Sequence, residues 1–270
     1  MNFHNSTSMG ICTVATNDYI YFWQDMVRSA QIVFCNEEDI TFHVFTDQAG
    51  VCLEFSKTIT KFKIVIHEIP SLEWPAATLD RYRIFNEFKA GLIEDVLIHL
   101  DADMLFHRNF IGELANIELS EDITLVLHPG YWRPPTSYLY SRKKIRLFLD
   151  LKTRMKFGAL GAWERRRNSN AYVPRKKRNA YVCGGVWFGK QKAFLKLCKE
   201  LDESIKGDSR KGLMARWHDE SHLNMWASTN PYNVLPASFC YSPEYAYMSY
   251  FDPIIEAVTK NKSFEEIKNK

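Results

Sequence analysis

Val96-Leu97-Ile98-His99-Leu100-Asp101-Ala102-Asp103-Met104, residues 96–104, is an apolar run that stops on two carboxylates. The aliphatic stretch Val96–Leu100 is too short for a helix and reads as a buried strand. Upstream, Leu79–Leu92 has helical character, Lys63–Ile69 is a strand candidate, and Ile40–Phe45 is rich in β-formers and ends at Thr46-Asp47-Gln48. Tyr19–Phe34 places apolar residues at 19, 22, 23, 26, 27, 30, 33 and 34, which is the spacing of a helix face. Before it, Met9–Thr16 reads as a strand closed by Asn17 and Asp18; downstream, Ile123–Leu127 is strand-like and stops at His128-Pro129-Gly130. Helix and strand therefore alternate, which predicts an α/β fold with a central, mostly parallel sheet flanked by helices. Ligands in such sheets bind beyond the carboxyl ends of the strands, where the chain here places Thr16-Asn17-Asp18, Thr46-Asp47-Gln48 and Asp101-Ala102-Asp103.

The composition is that of an ordinary globule: 46% hydrophobic and 25% charged over 270 residues, which excludes disordered and collagen-like classes. No stretch approaches the ~20 apolar residues that span a bilayer. Met1–Gly10 is polar, so the expectation is a soluble, cytoplasmic chain with no signal peptide. Six cysteines, at 12, 35, 52, 183, 198 and 240, lack CxxC spacing and read as reduced thiols. The net charge of +3 is uneven: Tyr140–Ala180 holds 14 Lys and Arg against two acids, leaving the remainder at −9. Such a split points to a region that meets anions. Within it, residues 142–156 intersperse apolar residues among cations, so peripheral membrane contact is expected there, with a solvated face as the plainer reading. No recognised nucleic-acid motif accompanies the basic stretch, and no nucleic-acid partner is expected.

Three motifs carry chemistry. Asp101 and Asp103, at i and i+2 past a strand, project to one side. Two neighbouring anions call for a cation, and oxygen ligands favour Mn2+ or Mg2+ together with substrate phosphates; solvated loop acids are the plain alternative. Trp217-His218-Asp219-Glu220-Ser221-His222-Leu223-Asn224 crowds polar groups at a helix start. His218 and His222 have zinc-like i, i+4 spacing, but Asp219 stands where a zincin needs Glu. The same acids suit glycosyl chemistry, with Glu220 facing an anomeric carbon and Asp219 holding sugar hydroxyls, or simply favour a helix N-terminus. Cys183-Gly184-Gly185-Val186-Trp187-Phe188-Gly189 would let backbone approach a ligand or form a turn or bulge, and it lacks Rossmann and P-loop spacing.

In order along the chain, Phe45-Thr46-Asp47-Gln48, the D-x-D, Leu127-His128-Pro129-Gly130, Glu164-Arg165-Arg166, Ala171-Tyr172-Val173-Pro174, the 217–224 string and Ser242-Pro243-Glu244-Tyr245 resemble glycosyltransferase family 6, the retaining α-1,3-galactosyl- and N-acetylgalactosaminyltransferases that include the blood-group A and B enzymes. The resemblance implies a GT-A fold over residues 1–256, with a donor-nucleotide half at about 9–130 and an acceptor and catalytic half at about 131–256; residues 257–270, rich in Lys, Glu and Asn, are expected to form a flexible tail. It implies transfer of GalNAc or Gal from a UDP-sugar to a galactose-containing oligosaccharide or glycolipid. Ala15, Thr16 and Tyr19 would cradle uridine, with Trp74, Thr78 and Arg81 contacting the donor. Asp101, Ala102 and Asp103 would meet the diphosphate, the two acids holding Mn2+ (or Mg2+). Cys183, Gly184, Gly185 and Asp219 would contact the donor sugar, with Glu220 catalytic beneath it. His128, Trp217 and Glu220 would line the acceptor pocket. Gly185 would leave room for an N-acetyl arm, favouring UDP-GalNAc over UDP-Gal by a modest steric margin. The segment from about Pro134 to Ala162 is longer than in the family. A glycan-binding module without turnover and a zinc-dependent hydrolase are the competing functions.

Overall fold

The structure is a computed structural model that describes residues 7–34, 39–115, 117–132, 158–245 and 248–258, together with 152, 155 and 156. The basic segment 142–156 lies outside these residues apart from 152, 155 and 156.

Seven strands form the central sheet: β1 (Met9–Val14), β2 (Ile40–Thr46), β3 (Lys63–Glu68), β4 (Val96–Leu100), β6 (Ile123–Leu127), β7 (Val182–Lys190) and β8 (Asn233–Leu235), in the order β3-β2-β1-β4-β7-β6-β8. All run parallel except β7, which opposes β4 and β6. The sheet is thus largely parallel, as the alternation predicts. A two-stranded ribbon pairs β5 (Met104–Phe106) with β9 (Ile255–Ala257). Ala257, expected in the flexible tail, lies in this strand opposite Met104, and Val258 N–H donates to the Asp103 carbonyl at 2.8 Å.

Alternation of side chains divides the core between the sheet faces. Ile11, Phe42 and Ile98 pack with Trp23 and Val27 of α1 (Tyr19–Val33) and Phe55 of α2 (Ala49–Ser56). Their neighbours Cys12 and Leu97 face the other way, toward Phe85 of α4 (Arg81–Glu87), following α3 (Ala76–Leu79). Phe194 and Leu197 of α6 (Gln191–Ser209) and Leu223 of α7 (His218–Ala227) complete that side, while α5 (Phe110–Leu114) covers the first. The expected single helix over Leu79–Leu92 is instead α3, α4 and a short 3₁₀ turn at Lys89–Gly91. It starts earlier, at Ala76 directly after Pro75, and its end tightens before Leu92.

Chain order places the switch point between β1 and β4: β2 and β3 build outward from one side of β1, and β4 returns on the other. Ligands in doubly wound sheets collect at such a crevice. The antiparallel β7 begins at the same edge, pairing Val186 with Leu100, and Asp101 N–H bonds the Gly185 carbonyl at 2.9 Å. The Gly-rich segment is therefore the start of a long buried strand rather than a free turn, and it brings Gly184 and Gly185 beside the D-x-D.

Candidate active site

The ends of β1 and β4 and the α3–α4 segment enclose a cavity of about 480 Å³. Thr16, Tyr19, Trp74, Thr78, Arg81, Asp101, Ala102 and Asp103 all line it. Five expected donor residues do not: Asp219 lines a second cavity, Gly184 and Gly185 pack against Asp219 and Asp101, and Ala15 and Cys183 are buried. Ala15 is wholly buried, bonding the Phe45 carbonyl through its N–H, and Cys183 turns into the core toward Cys240. The loop across the cavity is tied down by Leu72, whose carbonyl accepts from the Thr16 hydroxyl at 2.9 Å and the Asn17 amide at 3.3 Å. Asn17 takes φ 55°, a left-handed conformation Asn tolerates, and its N–H meets Asp47 at 2.9 Å. The polar end of β2 thus braces this loop from behind.

A second cavity, about 230 Å³, shares Thr78 with the first and is lined by His128, Trp217, Asp219 and Glu220, together with Tyr131 and Tyr245. Arg81 stands at the junction. It is buried, with its guanidinium 2.8 Å from Asp101 and 3.7 Å from Asp219. Burial alone would lower its proton affinity, but Asp101 and Asp219 more than offset this and hold it charged. Its contact with His99 Nε2 requires that nitrogen to accept, so His99 carries its proton on Nδ1, toward the Cys12 carbonyl 3.2 Å away. Burial, then Arg81, keeps His99 neutral.

The 217–224 string explains itself in this setting. Asn224 clamps both backbone groups of Val182, at 2.9 and 2.8 Å, and so fixes α7 against the start of β7. Ser221 accepts the Trp217 N–H at 2.9 Å. His218 sits at φ 44°, a conformation costing a non-glycine residue about 1–3 kcal/mol, and reverses the chain between Trp217 at the pocket wall and Asp219 inside. Glu164 accepts the backbone N–H groups of Arg165, Arg166 and Arg216 at 2.8, 2.8 and 2.9 Å. Although burial opposes it, these bonds and the Arg166 side chain hold the Glu164 pKa at about 2, and the carboxylate anchors the residue just before the string. The histidines diverge: His222 bonds Ser204 at 2.8 Å, while His218 meets the Trp74 ring at 4.8 Å. Their zinc-like spacing therefore does not converge on one ion, and no cluster of three or more potential metal ligands occurs among the described residues.

Glu220 accepts the Gly184 N–H at 3.0 Å. Burial pushes its pKa up to about 8; Asp219 and Asp101 add to the rise, while the Tyr181 hydroxyl and the Gly184 N–H oppose it. Asp219 is likewise raised by burial, with Arg81 opposing. His128 is lowered by burial to about 4 and is neutral. Its Nδ1 accepts the Gly130 N–H at 3.0 Å, which leaves the proton on Nε2, 3.8 Å from Glu220. His128 can thus donate to an oxygen in the pocket. Tyr131, Tyr181 and Tyr245 ring it at 4.9, 5.7 and 5.6 Å. Sequence reasoning gave Tyr131, Tyr181 and His99 no role. Their only signal was position: three residues after His128, directly before the Gly-rich strand, and two before Asp101.

A Cβ at Gly185 would meet Asp101 Oδ2 at 2.7 Å and the Met104 methyl at 2.8 Å, so this glycine makes room for the D-x-D. Gly184 is the one facing Asp219 and the start of Glu220, at 3.2 and 3.3 Å. Gly185→Ala should therefore displace Asp101, and a crystal structure of the variant checks this; an Asp101 carboxylate left in place would contradict it.

The chain matches the model of Glycosyltransferase family 6 over residues 1–149 and 152–269. It is 25% identical to the globoside alpha-1,3-N-acetylgalactosaminyltransferase 1 of Gallus gallus, covering 97% of this chain and 69% of the relative. Against the histo-blood group ABO system transferase 1 of Rattus norvegicus it is 25% identical, covering 90% and 61%. Against the O-antigen biosynthesis glycosyltransferase WbnI of Escherichia coli identity is again 25%, covering 88% and 89%. It thus spans about three fifths to two thirds of the animal relatives' length, and most of the bacterial one. With its motifs in order along a largely parallel sheet, and a match that runs through nearly the whole chain, the protein belongs to glycosyltransferase family 6.

Proposed function

We propose that the protein is a retaining α-1,3-glycosyltransferase that moves GalNAc, or less readily Gal, from its UDP-sugar to a galactose-containing acceptor. One observation carries the reading: Asp101 and Asp103 at the end of β4, and Asp219 and Glu220 at the start of α7, meet across buried Arg81 where the two cavities adjoin. The larger cavity suits a nucleotide diphosphate sugar and the smaller, ringed by tyrosines, an acceptor sugar. The GalNAc preference follows the activity for which the avian relative is named.

Asp101 and Asp103 offer only hard oxygen ligands on the wall of the larger cavity, which fits Mn2+ or Mg2+ completed by diphosphate oxygens. Such an ion would supply Lewis-acid stabilisation of the leaving diphosphate. The protein's own groups do the rest. Arg81 fixes Asp101 and Asp219 relative to one another. Asp219 holds donor hydroxyls, and Glu220, oriented by the Gly184 N–H, faces the anomeric carbon and steadies positive charge there as its bond to UDP breaks. The acceptor 3-hydroxyl oxygen, positioned by His128 Nε2–H, forms the new bond on the face UDP leaves, and its proton passes to the departing diphosphate.

Incubation with UDP-GalNAc and a galactose-terminated acceptor should release UDP and give an α-1,3 product. EDTA should abolish both, with restoration by Mn2+. Full activity in chelator would refute the metal role of Asp101 and Asp103; binding of glycan with no UDP release would mark a glycan-binding module instead.

A further inference from the structure

Beside the smaller cavity lies a strongly cationic surface that the site does not use. Residues 155–180 hold eight Lys and Arg against one acid, Glu164, and residues 210–217 add three cations and no acid. Glu164 is buried and engaged by Arg166 and three backbone N–H groups, and Asp208, which meets Ser169, Asn170 and Lys211 beneath the same face, is buried as well, so neither projects charge outward.

The two segments form one face. The Arg166 guanidinium bonds the Met214 carbonyl, and Lys211 reaches the Asn168 carbonyl at 3.1 Å and Asn170 at 2.6 Å. Arg175 bonds the Met155 carbonyl, and Arg165 and Arg175 lie near enough, after burial, to lower the pKa of Arg178. Three of the chain's large exposed apolar residues also lie here: Met155, Met214 and Trp217, at 76%, 50% and 48% exposure. Trp217 joins the face directly to the pocket it lines together with Ala162.

Cations interspersed with exposed Met and Trp suit a bilayer interface, where Lys and Arg meet anionic headgroups and apolar side chains enter the acyl boundary. A purely electrostatic partner such as RNA would leave the methionines without a counterpart. We propose that this face docks on an anionic lipid bilayer and so presents the smaller cavity to an acceptor carried in the membrane. The docking itself is independent of the proposed chemistry; only the consequence for the acceptor rests on that reading.

Flotation of the full chain with vesicles tests it, using phosphatidylcholine alone and phosphatidylcholine mixed with phosphatidylglycerol. Binding should be far stronger on the anionic vesicles than on the neutral ones and weaken with salt. The variant Arg165→Gln/Arg167→Gln/Lys176→Gln/Lys177→Gln removes four exposed side chains outside the catalytic site. At about fivefold per cation near the surface, it should lose at least a hundredfold in vesicle affinity. Met155→Ser/Met214→Ser should remove the part of binding that persists in high salt. Equal binding to neutral vesicles, no binding by the unaltered chain, or vesicle binding unchanged in the quadruple variant would overturn the proposal. So would RNA binding lost in that variant while vesicle binding stayed. As a separate arm, the quadruple variant should keep transfer to a soluble acceptor and lose it to a vesicle-borne glycolipid. Failure with both acceptors in the unaltered chain, with vesicle binding intact, would count against the transfer reading and leave docking standing.

Discussion

Glu220→Gln should lower transfer by about 10²–10³-fold, the usual cost of removing one preorganised group aimed at transition-state charge, while binding of UDP stays within a few fold. The split follows from position: Glu220 lines the smaller cavity, whereas the larger cavity, proposed to take the nucleotide, is bounded by other residues. Because burial holds the free enzyme's Glu220 at about 8, kcat/KM should rise with pH through that value as the carboxylate forms. The variant should lose this ascending limb. Stability should move oppositely. Between 4.5, its ordinary value, and about 8 the folded protein keeps a proton the unfolded chain has released. Stability contributed by Glu220 is therefore complete below the lower value and lost as pH rises through the upper one. The neutral isostere escapes this loss, so its gain in Tm over the unaltered chain should be greater at about pH 9 than at about pH 5. Near-normal turnover in Glu220→Gln would remove the residue from the mechanism, and an unchanged pH limb would assign that limb to another group.

Arg81→Met should be the most damaging single change to both fold and activity. It leaves Asp101 and Asp219 facing each other without their shared cation, and removal of one partner from a buried ion pair costs about 3–5 kcal/mol. Asp101 is a third exposed and can shed charge to water, but Asp219 cannot. The double variant Arg81→Met/Asp219→Asn should therefore recover much of the lost stability while remaining inactive. Denaturant melts of both, with UDP-sugar turnover, check this. Arg81→Lys keeps the charge but cannot reach two carboxylates, His99 and the Thr78 carbonyl from one planar group, so it should fold well and turn over slowly. A fully active lysine variant would reduce Arg81 to a generic counter-charge.

The sequence was most informative where chemistry and periodicity coincide. The apolar run 96–100 ending in Asp101 and Asp103 located the end of β4, and the density of polar residues at 217–224 located the start of α7. What it could not convey was which side chains turn away. Ala15 and Cys183 belong to segments that reach the site, but their side chains are buried in the core, and the space beside Gly185 is taken by Asp101. The convergence of Arg81 on acids 20 and 138 positions along the chain is a property of strand order, which local pattern does not encode. The same holds for the buried chain Glu94–His43–His67, linked by 3.0 Å contacts across three separate segments. Burial lowers His67 to about 4, so this ring is neutral inside the sheet.

The central claim is that two carboxylate clusters, one ending β4 and one opening α7, act on a single donor sugar. A crystal structure of the protein with UDP-GalNAc and Mn2+ tests it most directly. The account predicts the diphosphate against Asp101 and Asp103, with the anomeric carbon in reach of Glu220 and the sugar hydroxyls on Asp219. A nucleotide-sugar bound with its anomeric carbon remote from α7 would contradict it.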